Sequence, residues 1–175
     1  MPVRQFPLGH CVVLTLLALG VATTTPGDEP ARLQRVAATG DAAPGGGVFD
    51  RFGAESMPIA APVNARGDVA FFATLGRSGA GEGLFLWSRG RIAAVALEGD
   101  QVRGVGRLSG FGKHPAPDLS DDGTVVFAAA VAGGRVVEGI FTAQGGRVRP
   151  VALTGASVPG IPSAEIGRAS CRERV

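Results

Sequence analysis

Cysteine, histidine and tyrosine are scarce in this chain of 175 residues, which has two cysteines, two histidines and no tyrosine. Cys11 lies in an apolar run near the N-terminus and Cys171 lies near the C-terminus, so the region between them has no cysteine. Such a region has no disulfide bond, no thiolate nucleophile and no sulfur ligand for a metal. It has one histidine, His114, which is too few for a histidine-based metal site.

Helix-favouring composition is also missing. Glycine (28) and proline (12) together make up 40 of the 175 residues, well above the average share of about 12%. Both residue types disfavour long helices, and no stretch beyond the N-terminal run shows helical periodicity. Hydrophobic residues reach 45%, which is enough for a packed core. The composition therefore predicts an all-β protein.

The N-terminus has the pattern of a secretory signal. Arg4 precedes a 12-residue apolar run, CVVLTLLALGVA, that ends at Ala22. This run is too short to span a bilayer, and its last three residues form a small-x-small cleavage site. We expect residues 1–22 to be a signal peptide, residues 23–32 a linker, and the protein to be secreted, periplasmic or on the cell surface. The alternatives are a buried helix or an uncleaved anchor.

The last ten residues differ in character from the rest. Residues 166–175, IGRASCRERV, resemble the translation, in one frame, of a common sequencing adapter, the alternative being a native arginine-rich tail. We expect the native protein to continue past Ala164. Without residues 1–22 and 166–175 the chain has 13 basic and 14 acidic residues. The formal charge of +2 is therefore no evidence for an anionic partner, and nucleic acid is not expected.

The middle of the chain contains an internal repeat with a constant spacing. The recurring segments are 67–71 and 123–127, 83–85 and 139–141, 90–91 and 146–147, and 95–97 and 151–153. An earlier part, including Phe52 and Phe111, recurs at a slightly longer spacing, which places a three-residue insertion between Gly53 and Asn64. We divide the chain into repeat unit 1 at 33–90, repeat unit 2 at 91–146 and the start of a third at 147–165.

Each unit contains the same turn followed by a short apolar strand. The structural motif residues are Asn64, Gly67 and Phe71 in the first copy and Ser120, Gly123 and Phe127 in the second. Asn and Ser side chains stabilise turns, and glycine accepts a positive φ. The pattern predicts three antiparallel strands per unit, with a short fourth strand around residues 104–111. The expected fold is a tandem array of antiparallel β-meanders, an incomplete β-propeller of about two blades and part of a third. We expect apolar faces to be exposed at both ends.

The motif carries a family resemblance. Residues 64–71, NARGDVAF, match the repeat of bacterial exported NxxGxxAF proteins, and residues 120–127, SDDGTVVF, match it with Ser for Asn and Val for Ala. Residues 117–123, PDLSDDG, are also similar to the turn of TolB-type propeller repeats. The resemblance covers most of residues 33–160. It implies repeated β-sheet units, export and often a C-terminal surface anchor, and it implies no established activity.

Two segments superficially resemble ligand-binding loops. Residues 118–123, DLSDDG, are similar to the start of an EF-hand loop, but Ala129 occupies the position where a bidentate Glu is needed. The glycine-rich residues 76–83 lack the GK[ST] ending of a phosphate-binding loop and precede a strand. We interpret the first segment as a structural turn and the second as a hairpin loop.

Other candidate residues are isolated. His114 has Ser109 and Asp118 nearby in sequence, but there is no nucleophile elbow. For Trp87 and Phe85 we expect packing in the core or between blades, with stacking on a sugar or binding of a peptide as the alternative. The arginines are scattered over turns and strand edges, where we expect them to be solvated. They are Arg89, Arg91, Arg103, Arg107, Arg135, Arg147 and Arg149.

The sequence thus predicts no catalytic residue, no cofactor and no metal site. We expect an exported, non-catalytic interaction scaffold with an unknown protein or polysaccharide ligand. A membrane would be involved only through export or a missing C-terminal anchor. The alternative is a fragment of a secreted propeller enzyme, or of a sugar- or polymer-binding propeller, with its site in the missing C-terminal part.

Overall fold

The structure is a computed structural model that describes residues 33–53, 61–112, 116–133, 137–158 and 161–166. The predicted signal peptide and linker, His114, Arg135 and residues 167–175 lie outside these ranges. From Arg35 onward the described residues belong to one compact unit. They form strands, turns and irregular segments and no helix. Within them, accordingly, no helix meets the length and apolarity of a membrane crossing.

The first sheet is a four-stranded antiparallel meander. Its strands, in the order β1-β2-β3-β4, are β1 (Val48–Phe52), β2 (Val69–Gly76), β3 (Glu82–Ser88) and β4 (Arg91–Leu97). Arg89 and Gly90 join β3 to β4 with positive φ values of 51° and 78°, as the tightest hairpin turns require. We call this sheet the first meander.

The second sheet repeats this plan. Its strands are β5 (Gln101–Val102), β6 (Gly106–Gly110), β7 (Asp118–Leu119), β8 (Val125–Ala132), β9 (Glu138–Gln144) and β10 (Arg147–Leu153). The order is β10-β9-β8-β6-β5, and β7 also pairs with β8. Strand β6 confirms the predicted fourth strand. We call β6, β8, β9 and β10 the second meander. A last hairpin consists of β11 (Ser157–Val158) and β12 (Ile161–Glu165).

The two meanders match in register as well as in order. Phe71 lies opposite Phe85 in the first, and Phe127 lies opposite Phe141 in the second. Each last strand skips one residue in its ladder, at Val95 in β4 and at Val151 in β10. The prediction of an all-β, propeller-like fold made of tandem antiparallel meanders is confirmed. The first sheet spans residues 48–97 and the second spans residues 101–153. These boundaries differ from those of the predicted repeat units, 33–90 and 91–146.

One hydrophobic core lies between the two meanders. The first meander contributes one face to it, and the second contributes the face that carries its phenylalanines. The main side chains are Ala70, Phe72, Leu84, Ala96, Leu108, Phe111, Val125, Phe127 and Phe141. Ring contacts run from Phe72 to Phe111 (5.7 Å between centroids) and from Phe111 to Phe127 (5.8 Å). These apolar contacts hold the meanders together.

A second core covers the opposite face of the first meander. Phe49, Phe71 and Phe85 are buried there, and the rings of Phe49 and Phe85 meet edge to face at 5.0 Å. Val36 and Ala37 pack against this cluster. The expectation that both end faces are exposed is therefore wrong for this one. The reason is that Val36 and Ala37, the repeat equivalents of Val95 and Ala96, cover the first meander as those residues help to cover the second.

Candidate functional site

The first motif turn is organised by the side chain of Asn64. Its Oδ1 accepts hydrogen bonds from the backbone N–H groups of Arg66 (3.0 Å) and Asp68 (2.9 Å). Its Nδ2 donates to Asp68 Oδ2 at 3.0 Å. Gly67 N–H closes the turn on the Asn64 carbonyl at 2.9 Å, with a φ of +77°. Asn64 is buried, so its amide replaces the water that would otherwise solvate these groups.

Asp68 is a buried carboxylate that accepts hydrogen bonds from neighbouring side chains. It is 3% exposed, and its Oδ2 accepts from Asn64 and from both Nε (3.0 Å) and Nη2 (2.8 Å) of Arg66. Hydrogen bonds from Ser88 and Asn64, together with Arg66, lower the pKa of Asp68 to about 2 despite its burial. A carboxylate held in this way is a poor general base at neutral pH.

The second motif turn uses shorter side chains. The Ser120 hydroxyl contacts the Asp122 carboxylate and the carbonyl of Thr124 (3.1 Å). The backbone N–H of Thr124 donates to Asp122 Oδ1 at 2.9 Å. Bonds from Ser120 and Thr124 lower the pKa of Asp122 to about 2. Gln144 Nε2 also donates to this carboxylate at 3.3 Å, which ties the turn to the end of β9.

The two motif turns bind each other. Asn64 Nδ2 donates to the carbonyl of Ser120 at 3.1 Å, and the N–H of Ala65 donates to Asp121 Oδ1 at 2.8 Å. Arg66 reaches so close to Gly123 that a Cβ there would lie 2.8 Å from its Nη2. We call residues 64–68 and 120–124 the turn pair. It provides a polar link between the meanders, beside the apolar core.

A second polar link joins the meanders at Glu82. Its Oε1 accepts a hydrogen bond of 2.7 Å from the backbone N–H of Phe111. Burial raises the pKa of Glu82, the Phe111 N–H opposes this rise, and the negative charge of Glu98 adds to it. The carboxylate is thus placed to hold the segment between β6 and β7 against β3.

The motif residues therefore separate into two groups. Asn64, Ser120 and the two glycines come together in the turn pair. Phe71 and Phe127 lie in different cores, on opposite faces of the first meander. Sequence reasoning missed Asp68, Asp121 and Glu82. The signal for Asp121 was present, because it lies one repeat after Ala65 and stacked units bring such positions together.

The loop-like candidates form ordinary turns. Asp118 Oδ1 accepts from the N–H of Leu119, and Ser120 and Asp122 bond within their own turn. Among the described residues there is no group of three potential metal ligands. The glycine-rich segment joins β2 to β3 as a hairpin loop, closed by a bond of 2.8 Å from Leu75 N–H to the carbonyl of Gly81. Strand β3 follows it where a phosphate loop has a helix.

The aromatic candidates lie in or against the core. Phe85 is fully buried, and Trp87 is half-buried and packs against the cluster of Phe49, Phe71 and Phe85. Ser109 and Asp118 lie on β6 and β7, while His114 falls outside the described residues. Arg147 and Arg149 line an open cleft of about 560 Å³ on the second meander, with Thr124, Thr142, Gln144 and Gly145. Neither arginine forms an ion pair within the described ranges.

Comparison with known proteins gives a family and no activity. A model of a family of unknown function, DUF7453, matches residues 63–170, which is more than half of the chain. The match includes both motif turns and the whole second meander. No curated protein matches, and neither does any solved structure. The chain belongs to the DUF7453 family.

Proposed function

We propose that the protein is an exported, non-catalytic interaction module in which stacked meanders present surfaces to a protein or polysaccharide ligand. The observation that supports this most is the turn pair. Side chains of the two motif turns form hydrogen bonds that bind one meander to the next. The motif is thus suited to building an array.

The state of the two carboxylates Asp68 and Asp122 in the turn pair supports a non-catalytic role. Catalysis by acid and base needs accessible groups whose pKa lies near the working pH. Asp68 is buried, and Asp68 and Asp122 have pKa values lowered to about 2. A sugar-binding propeller would need exposed aromatic side chains, and half-buried Trp87 offers this alternative little support. Export and location depend on the predicted signal at residues 1–22.

Export is tested by expressing the full chain with a C-terminal tag in a Gram-negative host and isolating the periplasm. We expect the tagged protein there, with a new N-terminus at Thr23. An Arg4→Glu variant is the matched control, because it removes the basic charge and keeps the apolar run. Full-length protein that stays in the cytoplasm would overturn this part of the proposal.

The non-catalytic role is tested on the exported protein with panels of glycans, esters and phosphate esters. We expect binding without turnover. Turnover that copurifies with the protein and disappears in Ser109→Ala, Asp118→Asn or Glu82→Gln would show a catalytic site. That result would favour the alternative of a propeller enzyme.

A further inference from the structure

The outer face of the second meander is composed like an interior surface. Its side chains at the centre of the sheet are Val126, Ala128, Ile140, Val151 and Ala152, which we call the open face. Ile140 pairs with Ala128 on one side and with Ala152 on the other. The corresponding side chains of the first meander, one repeat earlier, are Ala70, Phe72, Leu84, Val95 and Ala96. These belong to the core between the meanders or pack against it.

Burial is what distinguishes the two faces. Leu84 is 1% exposed, whereas its counterpart Ile140 is 40% exposed. Val95 packs against the core, whereas its counterpart Val151 is 63% exposed. The strand order and the register around these residues are the same in both meanders. The difference is that a meander covers the first face and the described residues leave the second face uncovered.

The last hairpin indicates what would cover it. Each meander is entered through a hairpin closed by a pair of backbone hydrogen bonds. The first bond of the pair runs from Gly40 N–H to the Phe49 carbonyl (2.8 Å) in one hairpin and from Gly99 N–H to the Leu108 carbonyl (2.8 Å) in the other. The third hairpin has the same closure, from Gly155 N–H to the Ile166 carbonyl (2.9 Å). Leu108 lies in β6, the first strand of the meander that covers the first face. Position 166 is the matching position for the open face. The closure uses only backbone atoms of this residue, so the match does not depend on which side chain stands there.

We propose that the open face is the docking surface for a third meander of the same repeat, entered from β12. The third meander's motif turn would lie on turn 120–124, as that turn lies on turn 64–68. The N–H of Asp121, the counterpart of the Ala65 N–H, would then face the incoming turn. This inference rests on the internal comparison of the two meanders and does not depend on export or on the absence of catalysis.

The open cleft lined by Arg147 and Arg149 agrees with this assignment. Between the meanders, the corresponding position holds a gap of about 140 Å³, covered by Gly123 and by Gln144–Gly146 of the second meander. On the second meander the same position is the open cleft of about 560 Å³. Arg149 stands there in place of Ala93, and Thr142 in place of Leu86. The third meander should therefore bring carbonyl or carboxylate oxygens to this corner, since Arg149 needs acceptors.

The test compares the chain as it is with an extended chain. In the extended chain a second copy of residues 109–153 follows Ile166, in the register that Leu108 and Ile166 share. Hydrogen exchange is measured on the amides of β9 and β10. We expect the extension to slow their exchange by about tenfold or more, because a covered sheet opens less often than a half-exposed one.

A matched pair of substitutions in the original copy identifies the surface. Val151→Asp and Val137→Asp change the same residue type at 63% and 65% exposure. Val137 precedes β9, on the face opposite to Ile140 by the alternation of side chains. In the unextended chain both variants should behave like the parent. In the extended chain Val151→Asp should abolish the slowed exchange, since it places a charged carboxylate within an apolar contact, and Val137→Asp should retain it.

Three outcomes would overturn the proposal. One is an extended chain that folds while exchange on β9 and β10 stays unchanged. Another is protease digestion of the appended segment back to Ile166 in every variant. The third is a dimer of the unextended chain that Val151→Asp dissociates, which would make a second copy the occupant. None of these results bears on export or turnover, so failure here is distinguishable from failure of the proposed function.

Discussion

Removing the Asn64 side chain should destabilise the protein more than is usual for a polar residue in a turn, because Asn64 is buried. Asn64→Ala removes four hydrogen bonds: two from backbone N–H groups to Oδ1 and two from Nδ2 to Asp68 and Ser120. It leaves the N–H of Asp68 without its acceptor in a buried turn. It also takes one of the donors from the Asp68 carboxylate, which is buried and ionised.

The size of the effect follows from burial. A hydrogen bond contributes about 0.5–1.5 kcal/mol net, and a buried group left without a partner costs about 1–3 kcal/mol. Arg66 is an exposed residue, so its N–H can bond to water, whereas Asp68 and the Ser120 carbonyl lie in or beside the buried turn. We therefore expect Asn64→Ala to lower the free energy of unfolding by about 2–4 kcal/mol, out of a total that is typically about 5–15 kcal/mol.

Ser120→Ala is the matched control, because Ser120 has the same place in the second turn. Its side chain is exposed, and its hydroxyl bonds only within its own turn. Its loss should cost no more than about 1 kcal/mol. Urea denaturation followed by circular dichroism measures both variants. Equal losses for the two variants, or a loss below about 1 kcal/mol for Asn64→Ala, would contradict the role of the turn pair.

Three further predictions concern the core, the carboxylates and the glycines. Leu84→Ala should cost about 3 kcal/mol and Ile140→Ala less than about 1.5 kcal/mol by urea denaturation, because only Leu84 is buried; equal costs would contradict the difference between the two faces. The pKa of Asp68 is lowered in the folded state, so its ionised form adds to the free energy of unfolding at pH 5, above the unfolded pKa of about 3.9. This added stability is lost as pH falls towards 2. Asp68→Asn should weaken the fall of stability in acid, and an acid titration of stability that is unchanged in this variant would contradict the prediction. Gly139→Ala places a Cβ 2.9 Å from a backbone carbonyl and should cost about 1–3 kcal/mol, whereas Gly79→Ala, with open space around it, should be near neutral; similar thermal midpoints for the two would refute the close packing.

Most of the fold could be predicted from the sequence because its signals are local. The turn residues and the short apolar runs predict β2 and β8 with their flanking turns. Because the repeat spacing is constant, a strand predicted in one unit also predicts the corresponding strand in the other. Even the weak strand around 104–111 is present as β6. Hairpins of this kind are specified by neighbouring residues, so a repeat of hairpins can be predicted without knowledge of tertiary contacts.

The burial of the end faces could not be predicted in the same way. Alternation tells which side chains share a face, but it does not tell what lies on that face. Val36 and Ala37 cover the first meander from a segment without regular structure, so only their equivalence to Val95 and Ala96 in the repeat indicates this role. The contacts of Asp121 and Glu82 with the neighbouring meander also join residues far apart in the sequence, beyond the reach of local turn chemistry.

The two motif turns share a pattern but are not interchangeable. The Oδ1 of Asn64 accepts hydrogen bonds within its own turn, and its Nδ2 also donates to the Ser120 carbonyl of the second turn. The hydroxyl of Ser120 is shorter and is used within its own turn. The polar link is therefore directional, with an amide from the earlier turn and a carboxylate from the later one. A unit placed after the second turn would find no amide at Ser120, so the apolar open face and the Asp121 N–H would have to hold it.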